Sequence, residues 1–148
     1  MSTLYSDNYS RFAVYGKKGY PGFQGFEQVG ILETYEAVAA ANPSTIFMFV
    51  PPAGAKFRNG RLFYDALGGS VTLSVGVGAA ADGTVASAAK FLAATSVASA
   101  GSTLFLGAAT DISLIGYEFD GQTAVTVTVG GAAATGTIKV AMDFLLAF

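Results

Sequence analysis

The stretch TIKVAMDFLLAF (Thr137–Phe148) decides the fold. Its even positions, Ile138, Val140, Met142, Phe144, Leu146 and Phe148, are all apolar, and both charges, Lys139 and Asp143, fall on odd positions. Successive side chains of an extended chain point to opposite faces, so a period of two marks a strand with one buried face. The apolar face runs as far as Phe148, which predicts a packed C-terminal strand rather than a frayed one.

The same period recurs upstream. TAVTVTV (Thr123–Val129) sets Val125, Val127 and Val129 against Ala124, Thr126 and Thr128, and SVTLSVGV (Ser70–Val77) sets Val71, Leu73, Val75 and Val77 against Thr72, Ser74 and Gly76. Thr and Ser suit the outer face of a strand and supply it with few charges. Three further segments are apolar on both faces: TIFMFV (Thr45–Val50), TLFLGA (Thr103–Ala108) and ISLIGYEF (Ile112–Phe119). Such runs fit strands covered on one side by the core and on the other by a neighbouring subunit.

Turn signals stand between these segments at Asn42-Pro43, Pro51-Pro52, Gly68-Gly69, Asp82-Gly83, Asp120-Gly121 and Gly130-Gly131. They cut the chain into roughly seven to nine strands. Asn59-Gly60, inside FRNGRLFYD (Phe57–Asp65), is a strong hairpin signal, but only four residues separate it from Gly54. A bulge in one longer strand, from about Lys56 to Leu67, is the preferred reading. ILETYEAVAAA (Ile31–Ala41) is predicted as a strand in which Glu33 shares a side with Val29, Ile31 and Tyr35. Its alternative is a helix stopped by Asn42-Pro43. VASAAKFLAA (Val85–Ala94) reads as one short helix in a long Ala- and Ser-rich connection. The predicted fold class is all-β, a jelly-roll-like antiparallel β-sandwich over residues 27–148.

Residues 1–26 differ in kind. They hold seven aromatics, Tyr5, Tyr9, Phe12, Tyr15, Tyr20, Phe23 and Phe26, and GKKGYPGFQGF (Gly16–Phe26) has four Gly and one Pro in eleven residues. That density argues against helix and regular strand and predicts an extended N-terminal arm. Its rings either dock on a partner, where aromatics concentrate, or fold back on the domain's own core. These seven residues and Phe148 are the candidate interface residues, towards a partner protein or a second subunit.

Composition removes most other classes. The 148 residues include no Cys, His or Trp. Disulfides, thiolate nucleophiles, Cys- or His-based metal sites and the Ser-His-Asp triad are therefore excluded. Only 12% of residues are charged, eight basic and ten acidic, where about 25% is usual. A surface of roughly 7,000 Å² is covered thinly by so few charges, which points to a surface that meets protein. Scattered basic residues and a net charge of −2 leave no footprint for nucleic acid.

The uncharged stretch FLAATSVASAGSTLFLGAAT (Phe91–Thr110) has the length of a membrane span, but eight of its residues are Ser, Thr or Gly. No membrane partner is expected. The start, MSTLYSDNYSRF (Met1–Phe12), lacks a basic region followed by an apolar run, so no secretory signal is expected.

No motif carries catalysis. GVGAAA (Gly76–Ala81) satisfies G-x-G-x-x-A, but Asp82-Gly83 interrupts the helix that a dinucleotide site needs. Asp82 and Asp120, each followed by Gly, read as turn residues. Glu33, Glu36, Glu118 and Asp143 read as solvated or interface acids rather than a glycosidase pair. Lys17-Lys18 reads as a solvated loop. The expectation is a non-enzyme without cofactor or metal; an enzyme using two carboxylates is the rival.

A strand running into VPPAGAKF (Val50–Phe57), then LGGSVTLSVGV (Leu67–Val77), AKFLAATSVASAG (Ala89–Gly101) and TAVTVTVGGAAATGTIKVAMDFLL (Thr123–Leu146), forms a familiar succession. Over about residues 44–146 it resembles the small capsid cement and decoration proteins of tailed bacteriophages, in its pattern of strands and turns rather than in invariant residues. The resemblance implies a jelly-roll-like sandwich, usually trimeric, seated where capsid subunits meet. Its partners would be the major capsid protein and two further copies of itself. It implies a place on the capsid exterior after synthesis in the bacterial host cytoplasm, and it carries no catalytic residues. The alternative is a head-fibre or tail-associated protein that binds the host surface through loop residues, for which Tyr64 and Tyr117 are the available aromatics.

Overall fold

The computed structural model describes residues 26–105 and 114–147, which form eight strands. They are β1 (Phe26–Ala40), β2 (Ser44–Phe49), β3 (Lys56–Tyr64), β4 (Thr72–Ala79), β5 (Val85–Ser96), β6 (Gly101–Leu104), β7 (Thr123–Gly130) and β8 (Ala134–Ala147). β1 pairs with β8, β2 with β7, β3 with β6 and β4 with β5, all antiparallel. The chain is thus one long hairpin doubled back at the β4–β5 turn. Rolling that hairpin brings β3 against β8 and β4 against β7. The result is two four-stranded sheets, β1-β8-β3-β6 and β2-β7-β4-β5. That is the strand order of a jelly roll.

The C-terminal strand behaves as its alternation predicts. Ile138, Val140, Met142 and Phe144 are buried, Lys139 is exposed, and Asp143 is only partly covered. They join Val125, Val127 and Val129 of β7 and Leu73, Val75 and Val77 of β4 in one apolar core. Each such side chain contributes roughly 1.5–3 kcal/mol on burial. One end of the core is aromatic. The rings of Phe57 and Phe91 lie 4.7 Å apart, those of Tyr117 and Phe119 5.0 Å and those of Phe119 and Phe144 5.5 Å.

Residues 31–40 are strand, in β1, with Val29, Ile31, Glu33 and Tyr35 on the side that Ile138, Val140, Met142 and Phe144 occupy in β8. Asn59-Gly60 is no hairpin. β3 runs through it, and its register against β8 shifts between Phe57 and Asn59, as a bulge requires. Gly60 is needed there, because a β-carbon would fall on the Phe105 ring.

Three expectations are corrected. VASAAKFLAA is not a helix but most of β5, because pairing with β4 and insertion of Phe91 into the aromatic core outweigh the helix propensity of its alanines. ISLIGYEF is not a strand over its described part. Leu114 opens a single turn, Gly116 sits at a φ of 90°, and Tyr117–Phe119 lies along residues 54–57 by backbone hydrogen bonds. Finally, the Thr- and Ser-bearing face of β4 and β7 is not open to water: Ser74 and Thr126 are buried. Phe47 of β2 lies over Gly78, and the backbone of Ser87 and Ala88 lies against Gly76, where a β-carbon would meet the Ser87 carbonyl oxygen. The glycines of the G-x-G-x-x-A match therefore serve close packing of β4 against Phe47 and the backbone of residues 84–88. Residues 91–105, within the uncharged stretch, are β5, a turn and β6. Among the described residues no helix is long and apolar enough to cross a membrane.

Candidate interaction surface

The outer face of the β1 sheet is laid out by its register. Leu32 of β1 stands opposite Ala141 of β8, which stands opposite Arg61 of β3, which stands opposite Leu104 of β6. The next outward row is Thr34, Lys139, Phe63 and Ser102. Leu32 is 61% exposed, Leu104 45% and Phe63 38%, so the face carries large apolar side chains among isolated charges. The rows between them, such as Glu33, Val140, Leu62 and Thr103, point towards the core; Glu33 stays exposed because β1 is the last strand of its sheet.

Polar side chains on this face mostly bond to one another. Arg61 donates to Ser102 Oγ at 2.7 Å, Thr137 Oγ1 donates to Glu36 at 2.7 Å, and Arg58 donates to Gln28 Oε1 at 3.2 Å. Asp65 accepts from the Thr137 backbone at 3.0 Å. Two shallow hollows of about 260 and 240 Å³ flank Phe63, smaller than the roughly 300–1,000 Å³ of ligand pockets. Among the described residues no group of three or more carboxylates could hold a metal ion. The arrangement is chemically suited to contact with another protein surface.

The sequence-derived candidates fall largely elsewhere. Tyr5, Tyr9, Phe12, Tyr15, Tyr20, Phe23 and Phe148 lie outside the described residues, whereas Phe26 opens β1 with its backbone opposite Ala147. Asp82 and Asp120 are turn residues as read. Asp82 Oδ1 accepts from the Thr84 N–H at 2.9 Å, and Asp120 Oδ1 accepts from the N–H groups of Gln122 and Thr123 at 2.8 Å. The Thr84 N–H holds the first carboxyl below the ordinary aspartate range, and the Gln122 N–H, aided by the Thr123 side chain, does so for the second. Tyr64 shares a hydrogen bond with Thr103 at 3.0 Å, and Tyr117 packs on Phe119 beneath Lys90, whose Nζ lies 4.5 Å from its ring centre. Sequence reasoning missed the row from Leu32 to Leu104, because only long-range pairing brings those residues together.

The whole sandwich aligns with solved structures. A chain of the cyanophage Pam1 capsid asymmetric unit matches with a TM-score of 0.62 and 24% identity, covering 88% of this chain and 93% of that one. A chain of the capsid of Ralstonia phage GP4 matches with a TM-score of 0.62 and 21% identity, covering 86% and 88%. The fold is shared with two phage capsid chains. A chain from Bacillus endospore appendages aligns at a TM-score of only 0.40, too low to support an argument. No protein-family model and no curated protein matches the sequence.

Proposed function

We propose that the chain is a bacteriophage virion structural protein, a capsid cement or decoration protein that stabilises the shell at seams between capsid subunits. The observation that carries this reading is the likeness of the entire sandwich to chains of two phage capsids. The sparse charge and the exposed apolar rows of the β1 sheet support it, since a virion supplies neighbours to cover them. In this reading the protein is no enzyme and has no cofactor. It sits on the capsid exterior as a homotrimer against the major capsid protein, after synthesis in the host cytoplasm. A protein that binds the closed lattice better than free subunits stabilises the shell by mass action.

Two measurements test this reading. Light scattering on the purified protein is expected to give a trimer, and mass spectrometry of purified virions is expected to find the chain at stoichiometric levels; a stable monomer, or absence from virions, counts against it. The host-binding alternative would be favoured by glycan binding of the isolated protein, although Tyr64 and Tyr117 are already engaged within the fold. Removal of residues 1–25, which stops short of β1, is expected to weaken capsid binding by about tenfold or more. Unchanged binding would return those aromatics to the domain's own core.

A further inference from the structure

We propose that the subunits join by continuing the β1 sheet from one copy into the next, β6 of one copy pairing antiparallel with β1 of its neighbour. This rests on the homotrimer reading and specifies its seam. Among the described residues β1 and β6 are the two edges of the sheet. β1 is a fifteen-residue edge with neither Lys nor Pro, the residues that usually block further pairing. Because β1, β8, β3 and β6 alternate in direction, a neighbour's β1 placed beside β6 runs antiparallel to it without reversal of the sheet.

Charge selects this arrangement over pairing of β1 with itself. β1 carries Glu33 and Glu36, both exposed, and no base, so two copies of it side by side set acids against acids. On the β6 side the base is Arg61 of β3, whose guanidinium donates to Ser102 of β6, whereas Arg58 donates to Gln28 of its own β1. Setting Leu104 opposite the neighbour's Leu32 joins the two most exposed apolar side chains of the row. That register puts Ser102 opposite Thr34 and leaves Glu36 one diagonal step from Ser102, where Arg61 lies. Diagonal neighbours about 7–8 Å apart are within reach of such long side chains. Two different edges make a head-to-tail interface, which closes when it forms a ring.

The chain has no cysteine, so disulfide trapping reads the seam without background. Oxidation of the Leu32→Cys/Leu104→Cys double variant is expected to give reducible covalent trimers, and neither single variant is expected to cross-link. Disulfide dimers from Leu32→Cys alone would overturn the proposal in favour of β1–β1 pairing. Light scattering of the unaltered protein separates the two readings. A trimer whose double variant does not cross-link refutes the seam alone; a monomer refutes both. If the double variant does not fold by circular dichroism, Thr34→Cys/Ser102→Cys probes the same register. Glu36→Arg and Arg61→Glu should each weaken the trimer by about tenfold, and together restore it. Two folded single variants with unaltered association would overturn the charge pairing on which the register rests.

Discussion

Thr126 is fully buried, and its hydroxyl has no hydrogen-bond partner among the described residues. A buried unmet hydroxyl costs about 1–3 kcal/mol, and an apolar group of the same shape avoids it. Thr126→Val is therefore expected to raise stability by about 1 kcal/mol, read as a higher midpoint in denaturant. Gly76→Ala acts in the opposite direction, because the new carbon meets backbone rather than a side chain that can turn away. We expect a loss of about 3 kcal/mol in the same assay. The Asp120 carboxyl is held below its ordinary range, so its contribution is present above the range in which the unfolded chain titrates and is lost as pH falls through the lower folded value. Asp120→Ala should be less stable than the unaltered protein at neutral pH. The two thermal midpoints should converge in acid. The Asp-Gly turns were legible in the sequence because their chemistry is local. The burial of Thr126 was not, since its cross-strand neighbours, Phe47 and Gly76, come from distant segments.

At the scale of elements, alternation marked β4, β7 and β8 correctly as strands, but it gave one buried face where β4 and most of β7 are buried on both. It failed for β5, whose alanines have no strand preference and which becomes a strand by pairing with an edge. Phe91 ties that strand to the core through ring contacts with Phe57, Phe105 and Phe119. Phe91→Ala is expected to cost about 3–5 kcal/mol, measured by chemical denaturation. The bulge at Asn59 was legible from the short distance to Gly54, and it aims Gly60 at Phe105. The candidate interaction rows were hidden for a different reason. Leu32, Ala141, Arg61 and Leu104 each look ordinary in sequence, and only the rolled hairpin sets them in line.

For the molecule as a whole, the nested pairing of β1 with β8, β2 with β7, β3 with β6 and β4 with β5 makes every sheet contact except one turn long-range in sequence. Among the described residues the jelly roll leaves β1 and β6 as sheet edges and Leu32, Phe63 and Leu104 exposed on one outer face. Few charges and open apolar rows suit a part made to be covered by neighbours. The most direct test is to add the purified protein to capsids lacking it, sediment them and heat them. Saturable co-sedimentation at a fixed ratio, with a higher rupture temperature, is the predicted result. A protein that neither binds the shell nor raises that temperature would contradict the cement role.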